Sequence, residues 1–134
     1  MIRFSRREDY AVILISKLAQ NYNKRLVPLS EVAKEHKISL FFLRNVAAEL
    51  RLAGLVKAAE GKNGGYTLSK KPRHIYFGEI IKALSKEPIF SCCQETKDGK
   101  CAASCPHGFS LRRLNNAFLE NISGLTLDQL MRYK

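Results

Sequence analysis

The chain has 134 residues, enough for one domain with a substantial core, and its apolar share of 46% is that of a folded protein. It carries 23 Lys and Arg against 12 Asp and Glu, and the excess falls in residues 1–91, which hold 17 basic and 8 acidic side chains. The longest apolar run, Ala11 to Ile15, is far too short to span a bilayer, and no apolar stretch of a secretory leader follows Met1. No membrane-spanning helix is expected, a cytoplasmic protein is, and the basic two thirds predict a polyanionic partner.

Taken in chain order, Ser5-Arg-Arg-Glu8 has the form of a capping box, and Tyr10, Ala11, Leu14 and Leu18 come after it at helical spacing. The first helix is expected from Arg6 to Gln20. Asn21-Tyr-Asn-Lys is a polar break. Ser30 is then the expected cap of a short helix carrying Val32 and Ala33 and ending near His36 or Lys37. A tight turn through Ile38 leads to Ser39, a second cap, behind which Leu43, Val46 and Leu50 line one face of a helix that Gly54 stops. Two helices, the first very short, joined by a three- or four-residue turn form the layout of a helix-turn-helix. Short helical hairpins share that layout, so the residues after Gly54 carry the distinction.

Leu55-Val-Lys-Ala-Ala predicts a strand, Tyr66-Thr-Leu a second one, and Glu60-Gly-Lys-Asn-Gly-Gly between them a glycine-rich turn. A hairpin directly after a recognition helix makes the motif a winged helix, whose turn approaches phosphates or the minor groove. It is no nucleotide-binding loop, because no helix opens behind it. After the basic connector Ser69–Arg73 a helix from about Phe77 to Ser85 presents Ile80, Ile81 and Leu84, and Pro88 ends it.

All four cysteines lie in the next stretch, Cys92, Cys93, Cys101 and Cys105, among small, polar and charged residues with Gly99 and Pro106 as breakers. Such a loop fits four readings. An iron–sulfur cluster wants several thiolates and accepts a ligand other than Cys. Structural zinc prefers two short Cys-x-x-Cys-like arms, and only Cys101 and Cys105 form one. A disulfide or thiol switch is disfavoured in the cytoplasm. Four unrelated free cysteines are the remaining reading. His36 and His74 join no constellation.

Beyond Gly108, Leu111, Leu114, Phe118, Ile122 and Leu125 step by three and four, and Thr126-Leu-Asp-Gln129 is a second capping box opening a short terminal helix. An apolar stripe at the end of a small basic domain is core in most proteins; in a symmetric DNA reader it is also the usual dimer contact.

Together, Ile38-Ser-Leu-Phe-Phe-Leu, Leu50-Arg-Leu-Ala-Gly-Leu-Val56, Gly64-Gly-Tyr66, Gly78-Glu-Ile-Ile, the cysteine loop and Thr126-Leu-Asp-Gln-Leu130 resemble the Rrf-type transcription regulators, the IscR- and NsrR-like family, over nearly the whole chain. The resemblance implies a mainly α fold: a winged helix-turn-helix with a two-stranded wing over residues 1–88, a cluster-binding loop over 89–108, and a C-terminal dimerisation helix with a short terminal helix over 109–134, integrated in one domain. It implies a homodimer on a double-stranded DNA operator. It further implies an iron–sulfur cluster, of two or four irons, held by Cys93, Cys101 and Cys105, with Cys92 as the alternative to Cys93. Asp9 of the partner subunit stands where the family has an acidic fourth ligand, and His107 is a second candidate. For DNA it points to Ser39, Phe41, Phe42, Arg44 and Asn45. Among them Arg suits guanine and Asn adenine. One departure is Glu60, where the family often has Arg before the wing glycine; Lys62 and Asn63 are the wing residues left to meet DNA.

The expected function is therefore a transcription regulator, most simply a repressor, whose operator affinity is gated by a cluster sensing redox state, nitric oxide or iron–sulfur status. The alternative keeps the DNA binding and replaces the cluster by a thiol/disulfide or zinc switch. A bare iron–sulfur electron carrier needs neither helix-turn-helix nor wing, and no nucleophile–base pair marks an enzyme.

Overall fold

The computed structural model describes residues 5–85 and 108–132. The cysteine loop, with Cys92, Cys93, Cys101, Cys105 and His107, lies outside the described residues.

Helix α1 runs over Arg6–Gln20. It starts where it does because the Ser5 backbone N–H donates to the Glu8 carboxylate at 2.6 Å, giving an orphan amide an acceptor. Its buried face, Ala11, Leu14, Ile15 and Leu18, follows the 3.6-residue period. Helix α2, Leu29–His36, begins after Pro28 and not after Ser30, which corrects the expected cap. Pro28 sits at φ −67°, ψ 140°, so the ring-fixed residue supplies the entry to the helix, and its carbonyl accepts from Glu31 N–H at 3.1 Å. Ser30 is left exposed in the first turn.

Lys37 closes α2 in the left-handed region (φ 54°), and Ile38 N–H donates to Ala33 O at 2.9 Å, so the chain turns sharply. Ile38 is buried and pins this turn to the core. Helix α3, Leu40–Leu52, starts from Ser39 and buries Leu43, Val46, Ala47 and Leu50. Gly54, at φ +75°, takes the chain out of it, and Leu55 N–H returns to Leu50 O at 3.0 Å.

Strands β1 (Val56–Ala59) and β2 (Gly65–Leu68) pair antiparallel, with Val56 opposite Leu68 and Ala59 opposite Gly65. Val27, just before α2, adds a rung against Tyr66 through bonds of 2.8 and 2.9 Å. That rung needs a glycine beside it: a Cβ on Gly65 would lie 2.7 Å from the Val27 carbonyl carbon.

A 3-10 turn, Pro72–His74, leads into α4, Phe77–Leu84. Helix α5 covers Gly108–Ser123 and α6 Leu127–Met131. The last two are fastened to the start of α4 by the backbone: Phe77 N–H donates to Leu125 O and Leu127 N–H to Ile75 O, both at 2.8 Å. Helices α4 and α5 cross very closely, for a Cβ on Gly78 would sit 2.5 Å from Ser123 Cβ. One apolar cluster joins α1 to α4 and the wing strands with Leu127 of α6. The fold is thus a mainly helical winged helix, in agreement with the expectation from sequence.

Candidate nucleic-acid interface

Because Leu43, Val46, Ala47 and Leu50 turn inward, the opposite face of α3 faces solvent. It carries Phe41, Phe42, Arg44 and Asn45, with Ser39 exposed at its cap. The two rings are 70% and 53% exposed. They stand edge to face, with centroids 6.3 Å apart and planes at 85°.

Arg44 also borders a concavity of about 410 Å³ with Leu29, Ser30, Leu40 and Tyr66, which places it between α2, α3 and the wing. Sequence reasoning does not find Ser30 and Tyr66 here. Ser30 has the signature of a cap, and Tyr66 reaches the concavity only through the Val27 rung, a contact without a sequence period. Lys62 and Asn63 lie in the wing turn just past Gly61, which sits at φ +118°, and Lys62 and Glu60 are exposed there.

The acids near this face are largely engaged elsewhere. Arg25 holds Glu31 with bonds of 2.6 and 2.8 Å, and this keeps the Glu31 carboxyl below the usual carboxylate range. Lys17 pairs with Glu35 at 2.6 Å, and that bond raises the lysine. Arg7 on α1 pairs with Glu49 on α3. Arg44 has no ion pair among the described residues, so its guanidinium is available to an outside acceptor. An arginine beside an asparagine on an exposed helix is the donor set that reads purine edges in a major groove, and the flanking lysines suit phosphates.

The second feature is the start of α1. Glu8 is buried and committed to Ser5, whereas Asp9 is exposed. Asp9 lies at the rim of an apolar groove of about 710 Å³ whose walls include Val12, Ile13, Phe77, Ile80 and Met131. Of the expected metal ligands, Asp9 alone belongs to the described residues, among which no group of three or more metal-binding side chains occurs. Its exposed carboxylate could complete a site built by thiolates from another segment; Glu8 has the same chemistry but is buried against Ser5. Among the described residues no helix is long and apolar enough to cross a membrane.

A wing packed on a helix-turn-helix whose second helix exposes Arg44 and Asn45 defines a winged-helix DNA-binding regulator. The Rrf2 family, described as an iron-dependent transcriptional regulator, matches residues 4–133, and the chain belongs to it. It is 28% identical to the HTH-type transcriptional regulator IscR of Pectobacterium atrosepticum over 133 residues, covering 99% of this chain and 81% of that protein. Its fold matches CymR, titled the global cysteine regulator of B. subtilis, with a TM-score of 0.79 and 28% identity over 100% of this chain and 99% of that one. T. potens IscR matches at 0.77 with 26% identity, over 97% and 86% of the two chains. The chain is accordingly a transcriptional regulator and not an enzyme.

Proposed function

We propose that the chain is an operator-binding repressor in the cytoplasm, a homodimer whose DNA affinity is gated by an iron–sulfur cluster. The observation that carries the DNA-reading part is the solvent face of α3, where Arg44 has no ion pair among the described residues and Asn45 lies beside it. Ser39, Phe41 and Phe42 complete the base-facing surface, and Lys62 and Asn63 approach the backbone from the wing. For the cluster, the support is the family description together with Asp9, exposed beside a committed Glu8. Cys93, Cys101 and Cys105 would hold it, with Cys92 as the alternative to Cys93, Asp9 of the partner subunit as fourth ligand and His107 as the local substitute. When bound, the cluster supplies a centre reactive toward oxidants and nitric oxide. The residues of this chain do the rest: thiolates bind, Asp9 ties the site to α1, and α1 packs on α3.

The dimer reading is supported by Leu114, 51% exposed on α5 in the middle of the apolar stripe. Two copies joined there would place two α3 helices for half-sites about one DNA turn apart.

The likeness to a cysteine regulator favours a second reading, in which the cysteines act as a thiol/disulfide switch on the same DNA-binding frame. One experiment separates the two. Anaerobic purification, iron and sulfide counts and a visible spectrum establish what the cysteines hold. Operator binding of loaded and apo protein at matched salt then establishes the gate, expected to be about tenfold. Equal affinity of the two forms overturns gating, and a colourless protein with a reversible disulfide supports the switch.

A further inference from the structure

Phe41 and Phe42 are two large apolar side chains left in water on the first turn of α3, while the core is filled from the opposite face. A phenyl ring has no hydrogen-bond donor or acceptor, so it distinguishes no base by hydrogen bonding. In a major groove the one apolar landmark is the 5-methyl group of thymine. The N-terminal turn of a recognition helix is where base edges are met, and Arg44 and Asn45, three and four residues beyond Phe41, share its helical face. The edge-to-face contact sets the Phe42 ring beside the more exposed Phe41 ring, so the two present one apolar surface.

We propose that Phe41, with Phe42 beside it, is a specificity-determining residue that packs on a thymine methyl, and that each operator half-site carries a thymine beside the purines read by Arg44 and Asn45. This rests on the reading of α3 as the operator-reading helix. Arg44 and Asn45 discriminate by hydrogen bonds; Phe41 discriminates by shape and burial alone.

The test starts by selecting duplexes from a random pool with the full chain, loaded and apo. Each thymine of the enriched half-site is then replaced by deoxyuridine, which removes the methyl and keeps every hydrogen-bonding group. The expected result is one or two thymines per half-site whose replacement weakens wild-type binding about three- to tenfold, the worth of burying a methyl group. Phe41→Ala should weaken binding to the thymine duplex by a similar factor and be indifferent to uracil. Circular dichroism should leave it folded, since its side chain lies outside the core. The inference is overturned if uracil is tolerated everywhere, if the uracil penalty persists in Phe41→Ala, or if the variant changes sedimentation and leaves DNA affinity intact, which would make the rings a contact between copies. If neither form enriches any duplex, the operator-reading role of α3 fails first and the inference falls with it.

Discussion

Arg7 of α1 donates through its guanidinium to the carboxylate of Glu49 on α3, forty-two residues further along the chain. The pair ties the turn that carries Asp9 to the helix that carries Arg44. Both side chains are partly exposed, so its worth to stability is small, at most about 1 kcal/mol. Under the proposed cluster gate, the same pair would also link Asp9 to the recognition helix. Arg7→Ala is expected to leave folding nearly intact and to bring the operator affinities of loaded and apo protein closer together. Titration of both forms on one duplex measures this; an unchanged ratio would show that the signal reaches α3 by another route.

Replacing Arg44 separates base reading from backbone contact. Arg44→Ala should cost about 1–3 kcal/mol on the selected operator and much less on random DNA. An equal loss on both, with a shallower dependence on salt, would assign Arg44 to a phosphate.

Glu8 and Asp9 are adjacent yet one is buried and the other exposed, and single substitutions should separate their contributions. Glu8→Ala removes the acceptor of the Ser5 amide and is expected to cost about 1 kcal/mol of stability. Asp9→Ala should cost less, keep a cysteine-bound chromophore but loosen it, and blunt the DNA response. Cys101→Ala or Cys105→Ala should abolish the chromophore. Thermal unfolding and the visible spectrum report the two effects separately. An Asp9→Ala protein with unaltered cluster retention would remove Asp9 from the ligand set.

The start of α4 gives a pH signature. Glu79 accepts the Tyr76 backbone N–H at 3.0 Å and pairs with Lys70 at 3.2 Å; the backbone bond first, and Lys70 after it, lower the Glu79 carboxyl below its ordinary value. A carboxylate depressed in the folded state contributes stability above its unfolded pKa and loses it as pH falls through the folded one. Melting temperature should therefore drop as pH falls through and below about 4.3, the ordinary glutamate value, and Glu79→Ala should flatten part of that decline. An identical acid limb in the variant would deny Glu79 this role.

Much of this architecture is legible in local chemistry. The Ser5–Glu8 spacing marks the start of α1, and the inward positions Leu43, Val46 and Leu50 leave Arg44 and Asn45 outside by geometry alone. The wing is legible because Gly61 and Gly64 punctuate two short strands. Pairings brought about by packing leave no such mark. The Val27–Tyr66 and Tyr76–Thr126 bridges are single rungs between distant segments, without a repeat to betray them. The first of them carries Tyr66 to the concavity beside Arg44, which is why sequence reasoning misses that neighbour. Ser30 misleads because a capping side chain and a proline compete for one helix start, and the ring-locked residue prevails.

The contact of Gly78 with Ser123 leaves no room for a side chain between α4 and α5. The contact sits at one end of a helix of 16 residues, about 24 Å long. The other end, Gly108, lies three residues beyond Cys105. With the contact taken as a fixed point, a displacement of about 2 Å at that end corresponds to a tilt of roughly 5° for a helix of this length. Gly78→Ala would force α4 and α5 apart at that point and so re-aim the start of the helix that follows the cysteines in sequence.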